Sequence, residues 1–168
     1  MFKWIRADSE KVWKFIEDFL KDEDAVVLEK FDDPNSEWRY LVEYSGTKFE
    51  IFRPKNKSYT VIVTGFDLSD NTKKTLDSVK DVKVSVLNSL SVTFWMSDVY
   101  FAFHPNVEKL EKVDFAAKIY DEELDRPTLF RTFRKLDGCV NVVGIFLQML
   151  VDASSSSTSL QPPTTMFF

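Results

Sequence analysis

Thirteen residues near the end of the chain, Cys139 to Val151, constrain its fold more than any other stretch. They are apolar almost all round. Only Asn141, Gly144 and Gln148, followed by Asp152, interrupt the run, at spacings of three, four and four. Those are helical spacings, so the polar positions form one narrow stripe and the rest of the circumference is apolar. A helix of that kind is covered on most sides, by its own fold or by a second subunit. The preceding half, Pro127 to Leu136, is different, because Leu129, Phe130 and Phe133 are interleaved with Arg131, Arg134 and Lys135 as in a helix lying on a surface. Pro127 suits a first turn, where its missing amide costs nothing, and the acids before it complement the helix dipole. One helix from Pro127 to Val151 is expected.

The remainder reads as elements to pack against it. Asp8 and Ser9 are N-cap candidates for a helix with Val12, Ile16, Phe19 and Leu20 on one face. Four strand-like runs follow, 25–31, 37–44, 47–53 and 58–64, separated by short turns such as Ser45-Gly46. Connections that short impose antiparallel neighbours, hence a meander with one face buried under helices. Trp38, Tyr40 and Tyr44 share a strand face, either as core under a helix or as the lining of a binding groove. Asp67 to Asp70 starts a second helical region with a break near Lys80-Asp81. Val82, Val84 and Val86 also alternate, so a strand within 82–94 stays open, and two helices are favoured. Runs 98–104 and 112–120 complete the set as two strands.

This order predicts an α+β domain over residues 1–152, with an antiparallel β-meander, packed helices and a long hydrophobic C-terminal helix. Residues 153–168 are rich in Ser and Pro and read as a flexible tail, with Met166-Phe167-Phe168 an apolar tag at its end.

The same chain carries few groups suited to catalysis. The one histidine, His104, ends a strand, and no nucleophile elbow accompanies it. The one cysteine, Cys139, lies in the apolar run, which disfavours a thiolate and precludes an internal disulfide. One Cys and one His do not fill a typical structural zinc site. Phosphate loops and dinucleotide fingerprints are absent from the sequence. No cofactor and no catalytic residue is therefore predicted. The lone cysteine and an N-terminus, Met1 to Arg6, without a long apolar core predict a cytoplasmic protein. No unbroken apolar run approaches the roughly 20 residues of a membrane span. A net charge of −5 opposes non-specific attraction to nucleic acid.

The runs Val61 to Ser69 and Lys118 to Arg126, with the helix ending Phe146-Leu147-Gln148-Met149-Leu150, resemble an uncharacterised family of domains found mainly in archaea. That family is similar in outline to the type III secretion chaperone-like fold, and the resemblance covers about Met1 to Asp152. It implies a dimer that holds a peptide or partner protein, and it brings no catalytic residues with it.

The reading that results is a non-catalytic protein- or peptide-binding domain, chaperone- or adaptor-like and homodimeric. Its expected interface is Val142, Ile145, Phe146 and Met149. An alternative is a nucleic-acid-associated accessory protein using the basic face Arg126, Arg131, Arg134 and Lys135. A third is an enzyme with a hard metal held by Asp121, Glu122, Glu123 and Asp125.

Overall fold

The computed structural model describes residues 8–157. Met1 to Arg6, most of the Ser/Pro-rich tail and Met166-Phe167-Phe168 lie outside the described residues. Helix α1 (Ser9–Asp22) is capped by Asp8, whose Oδ1 accepts from the amides of Glu10 at 2.9 Å and Lys11 at 3.4 Å. It buries Val12, Ile16, Phe19 and Leu20, the residues that share one face by spacing. Strands β1 (Val26–Lys30), β2 (Ser36–Tyr44), β3 (Thr47–Pro54) and β4 (Tyr59–Asp67) then form the meander. The β2–β3 turn needs two residues with positive φ, and Ser45 at 51° and Gly46 at 80° provide them.

Helices α2 (Asp70–Ser78) and α3 (Lys80–Met96) settle the open region in favour of two helices, with the break at Val79. α3 forms despite its alternating valines because Lys83, Leu87 and Phe94 make a helical inner stripe that is buried. Lys83 is held there by the carbonyl of Glu108 at 2.8 Å and by Asp77 Oδ1 at 3.2 Å. Strands β5 (Tyr100–His104) and β6 (Lys112–Tyr120) join the meander, with β6 inserted between β4 and β5, so one antiparallel sheet runs β1-β2-β3-β4-β6-β5. A single 3₁₀ turn (Asp121–Glu123) leads into α4 (Arg126–Ser157).

The fold is α+β, as expected: an antiparallel sheet, packed helices and a long apolar C-terminal helix. Helical structure continues through Ser157, beyond the Val151 end expected from composition. The core lies between one sheet face and the helices. Trp38 and Tyr44 are buried in it, and Tyr40 is half-buried with its ring stacked on Trp13 at 3.6 Å. Trp38 and Tyr40 pack against α1 and Tyr44 against Phe133 of α4, so this strand face serves as core.

One buried cation ties the sheet to the approach to α4. Arg53 has no exposed surface, and its guanidinium donates twice to Asp121, from Nη1 to Oδ1 at 2.6 Å and from Nη2 to Oδ2 at 2.8 Å. Its Nε lies 3.2 Å from Glu37 Oε2. Arg53 follows Phe49 and Ile51 at a spacing of two, so strand alternation turns it inward with them. A buried guanidinium without a carboxylate would be strongly unfavourable, and Asp121 supplies one.

Candidate protein-binding face on α4

α4 begins where the sequence places it. Asp125 Oδ1 accepts from the Thr128 amide at 2.7 Å, capping the first turn. Hydrogen bonds from Thr128, side chain first and then backbone, hold the Asp125 carboxyl below its ordinary range. From there the helix divides into two faces. The inner face carries Leu129, Phe133, Leu136, Val143 and Leu147, all buried. Phe133 is its hub, with ring centroids 4.8 Å from Phe49, 5.2 Å from Tyr44 and 6.0 Å from Phe19. Cys139 lies on the same side, and burial pushes its thiol pKa up.

The outer face is the unusual one. Val142, Ile145, Phe146 and Met149 are 39%, 60%, 38% and 59% exposed. Their spacing of three, four and seven from Val142 makes them one continuous stripe. The sheet, α2 and α3 therefore cover only the inner half of the apolar circumference, and these four residues are surplus to the core. Beside them Phe66, Val140, Asn141, Gly144, Ile145 and Gln148 line a shallow depression of about 350 Å³.

On its other side α4 has α3 as an antiparallel neighbour. Lys135 Nζ donates to the carbonyl of Ser97, just past the end of α3, at 3.1 Å, and towards the other end of α4 the hydroxyl of Ser78, the last residue of α2, meets that of Ser154 at 3.0 Å. α3 adds its own exposed apolar residues, among them Val92, Trp95 and Met96. The exposure of Trp95, at 78%, has no signal in the sequence, where it continues an apolar stripe.

By length and composition α4 also qualifies as a membrane span: over Arg126–Ser154 its best window has a mean hydropathy of 1.5. That corrects the expectation drawn from unbroken apolar runs, because isolated Asn, Gly and Gln residues interrupt a run without lowering a window average much. Only 22% of the window is buried, the same surplus seen residue by residue.

The four basic residues have separate partners. Arg126 Nη2 pairs with Asp22 on α1, and Lys135 turns to α3. Arg131 Nη2 donates to Thr128 Oγ1 at 3.3 Å, and the Arg134 guanidinium sits 6.0 Å from the Phe130 ring centre. Nor do the four acids converge. Asp121 faces Arg53 and Asp125 caps α4, and among the described residues no cluster of three or more His, Cys, Asp or Glu is placed to hold a metal. His104 is half-exposed on the uncovered sheet face, with Nε2 3.1 Å from Asp114 Oδ2 and Lys112 Nζ on the other oxygen at 3.1 Å.

A family of uncharacterized conserved proteins, DUF2299, matches over residues 14–147. The chain belongs to that family. Its fold is also that of a solved structure, an uncharacterized protein from Methanothermobacter thermautotrophicus, with a TM-score of 0.74 at 16% identity over 82% of this chain and 97% of that one. YbjN from E. coli aligns at a TM-score of only 0.40 and 10% identity, over 84% of this chain and 90% of that one, which carries no argument. No curated protein matches.

Proposed function

We propose that this domain is a non-catalytic protein-binding module, chaperone- or adaptor-like, and that the outer stripe of α4 is its contact surface. The observation that carries the reading is the joint exposure of Val142, Ile145, Phe146 and Met149 on a helix whose inner face already supplies the core. A contiguous apolar stripe in water is unfavourable, and covering a half-exposed side chain of this size contributes on the order of 1 kcal/mol. Helix-in-groove and helix-on-helix recognition both use anchors at this i, i+3, i+4, i+7 spacing. The nucleic-acid reading has less support, since Arg126 and Lys135 are drawn to α1 and α3 and the whole chain is acidic.

A photo-reactive residue at Asn141, beside the stripe, tests the proposal in native extract. Protein adducts that disappear when Ile145→Glu is added are expected. Absence of any adduct, while the variant chain remains folded, would contradict it.

A further inference from the structure

The occupant of the stripe can be specified further, on the premise that the stripe is a protein contact. We propose that it is a second copy of this chain, its α4 crossing the first antiparallel about a two-fold axis between Asn141 and Val142.

Three features of α4 point to this arrangement. The first is Gly138, which lies on the outer face one turn before Val142. Glycine in a helix interior costs stability relative to alanine, and here nothing lies within 4 Å of where a Cβ would stand. The monomer therefore gives no reason for glycine at this position, whereas a second helix approaching closely does. The second feature is charge. The outer face is basic in its first half, at Arg131 and Arg134, and carries Asp152 near its far end. The Asp152 carboxylate is already oriented by Gln148 Nε2 at 2.8 Å. A parallel pair would set Arg131 and Arg134 against their own copies; an antiparallel pair sets them against the acidic end.

The third feature is that one register satisfies both. With Asn141 of one copy beside Val142 of the other, Gly138 faces Ile145 and Arg131 faces Asp152. The most exposed side chain of the stripe, Ile145, then meets the residue that has no side chain. Arg134 faces Met149, close to the corner where Lys135 meets α3 and where Trp95 and Met96 are exposed. Such a pairing is isologous, so each contact occurs twice and the assembly closes at two.

The test combines size with cross-linking register in the full chain, with the buried Cys139 left in place. Sedimentation velocity of the purified protein is expected to show a dimer. Under mild oxidation Val142→Cys is expected to link to itself, Arg131→Cys alone to stay unlinked, and the double variant Arg131→Cys/Asp152→Cys to link between copies. Gly138→Ala separates this arrangement from a general apolar contact. It should raise the melting temperature of the dilute monomer, yet weaken dimerisation roughly tenfold or more by overfilling the crossing. A dimer that links through Arg131→Cys alone, or one that Gly138→Ala leaves unweakened, would overturn the antiparallel crossing. A chain that stays monomeric at every concentration would overturn the second copy as occupant. In that last case adducts of the Asn141 probe with another protein would leave the protein-binding reading standing, and the absence of adducts would remove both.

Discussion

Truncating one residue on each face of α4 separates the core from the surplus. Phe133 has no exposed surface and is enclosed by Phe19, Tyr44 and Phe49, with centroids no more than 6.0 Å away. Removing a buried phenyl ring costs about 3–5 kcal/mol, transfer and cavity terms together. For a chain of this size each kcal/mol lowers the melting temperature by about 2–4 °C, so Phe133→Ala is expected to lower it by about 6–20 °C. Ile145 is 60% exposed, and alanine is the better helix former. Ile145→Ala is therefore expected to change monomer stability by no more than about 1 kcal/mol. Both variants are to be unfolded by heat and by urea at the lowest workable concentration, since bound partners stabilise by mass action. Equal losses for Phe133→Ala and Ile145→Ala in the dilute monomer would refute the division of α4 into an inner and an outer face.

Other outcomes follow from the rest of the fold. Asp121→Asn leaves the Arg53 guanidinium without its bidentate acceptor and should cost about 3–5 kcal/mol, read as a lowered urea midpoint. Unchanged stability would mean that Glu37 suffices. Gly65→Ala would press a Cβ onto the Val113 carbonyl and the Asp114 carboxylate across the β4–β6 pair, so it should lower the melting temperature, whereas Gly46→Ala strains only the hairpin turn. Burial raises the Cys139 thiol pKa, so the stability it contributes is intact below the unfolded thiol value, near pH 8.5, and is lost as pH rises through the folded one. Cys139→Ala should flatten the fall of the urea midpoint as pH rises above the unfolded thiol value. At the acid end the lowered Asp125 carboxyl works in the opposite sense, with stability present above its unfolded value and lost as pH falls below about 4, a slope that Asp125→Asn should reduce.

Much of this architecture was legible in the residues. Asp8, Asp125 and the Ser45-Gly46 turn mark element boundaries through local hydrogen bonding and backbone geometry, and they act as expected. The alternation in β2 places Trp38, Tyr40 and Tyr44 on one face, and that face is the inward one. What the residues did not reveal is long-range: the insertion of β6 between β4 and β5 follows no local rule, because strand order depends on which apolar faces meet. The ambiguity over 82–94 had the same origin. Its valines suit either period, and the decision came from Leu87 and Phe94 finding a buried environment. α4 runs past the Val151 end expected from composition because serines carry no apolar pattern, yet they continue an established helix through Ser157.

The candidate face was legible as a set of residues and not as a surface. Composition identified Val142, Ile145, Phe146 and Met149 as apolar, but whether the sheet, α2 and α3 cover them depends on where those elements dock. Arg131 and Arg134 were adjacent in sequence to Arg126 and Lys135, yet helical geometry and the partners Asp22 and Ser97 disperse the group. Arg53 and Gly138 each carry a signal in the sequence. An arginine in phase with Phe49 and Ile51 signals a buried cation, and a glycine inside a strong helix signals a close approach.

Hydroxyl-radical footprinting tests the account most directly. It compares oxidation of Val142, Ile145, Phe146 and Met149 in the dilute purified chain with their oxidation in concentrated chain and in native extract. Tyr120, exposed on the uncovered sheet face, is the internal reference. All four are expected to be oxidised readily when dilute and to become protected together, relative to Tyr120, when partners are present. Protection of all four in the dilute monomer would place them in the core, and oxidation at the dilute rate under every condition would remove the interface.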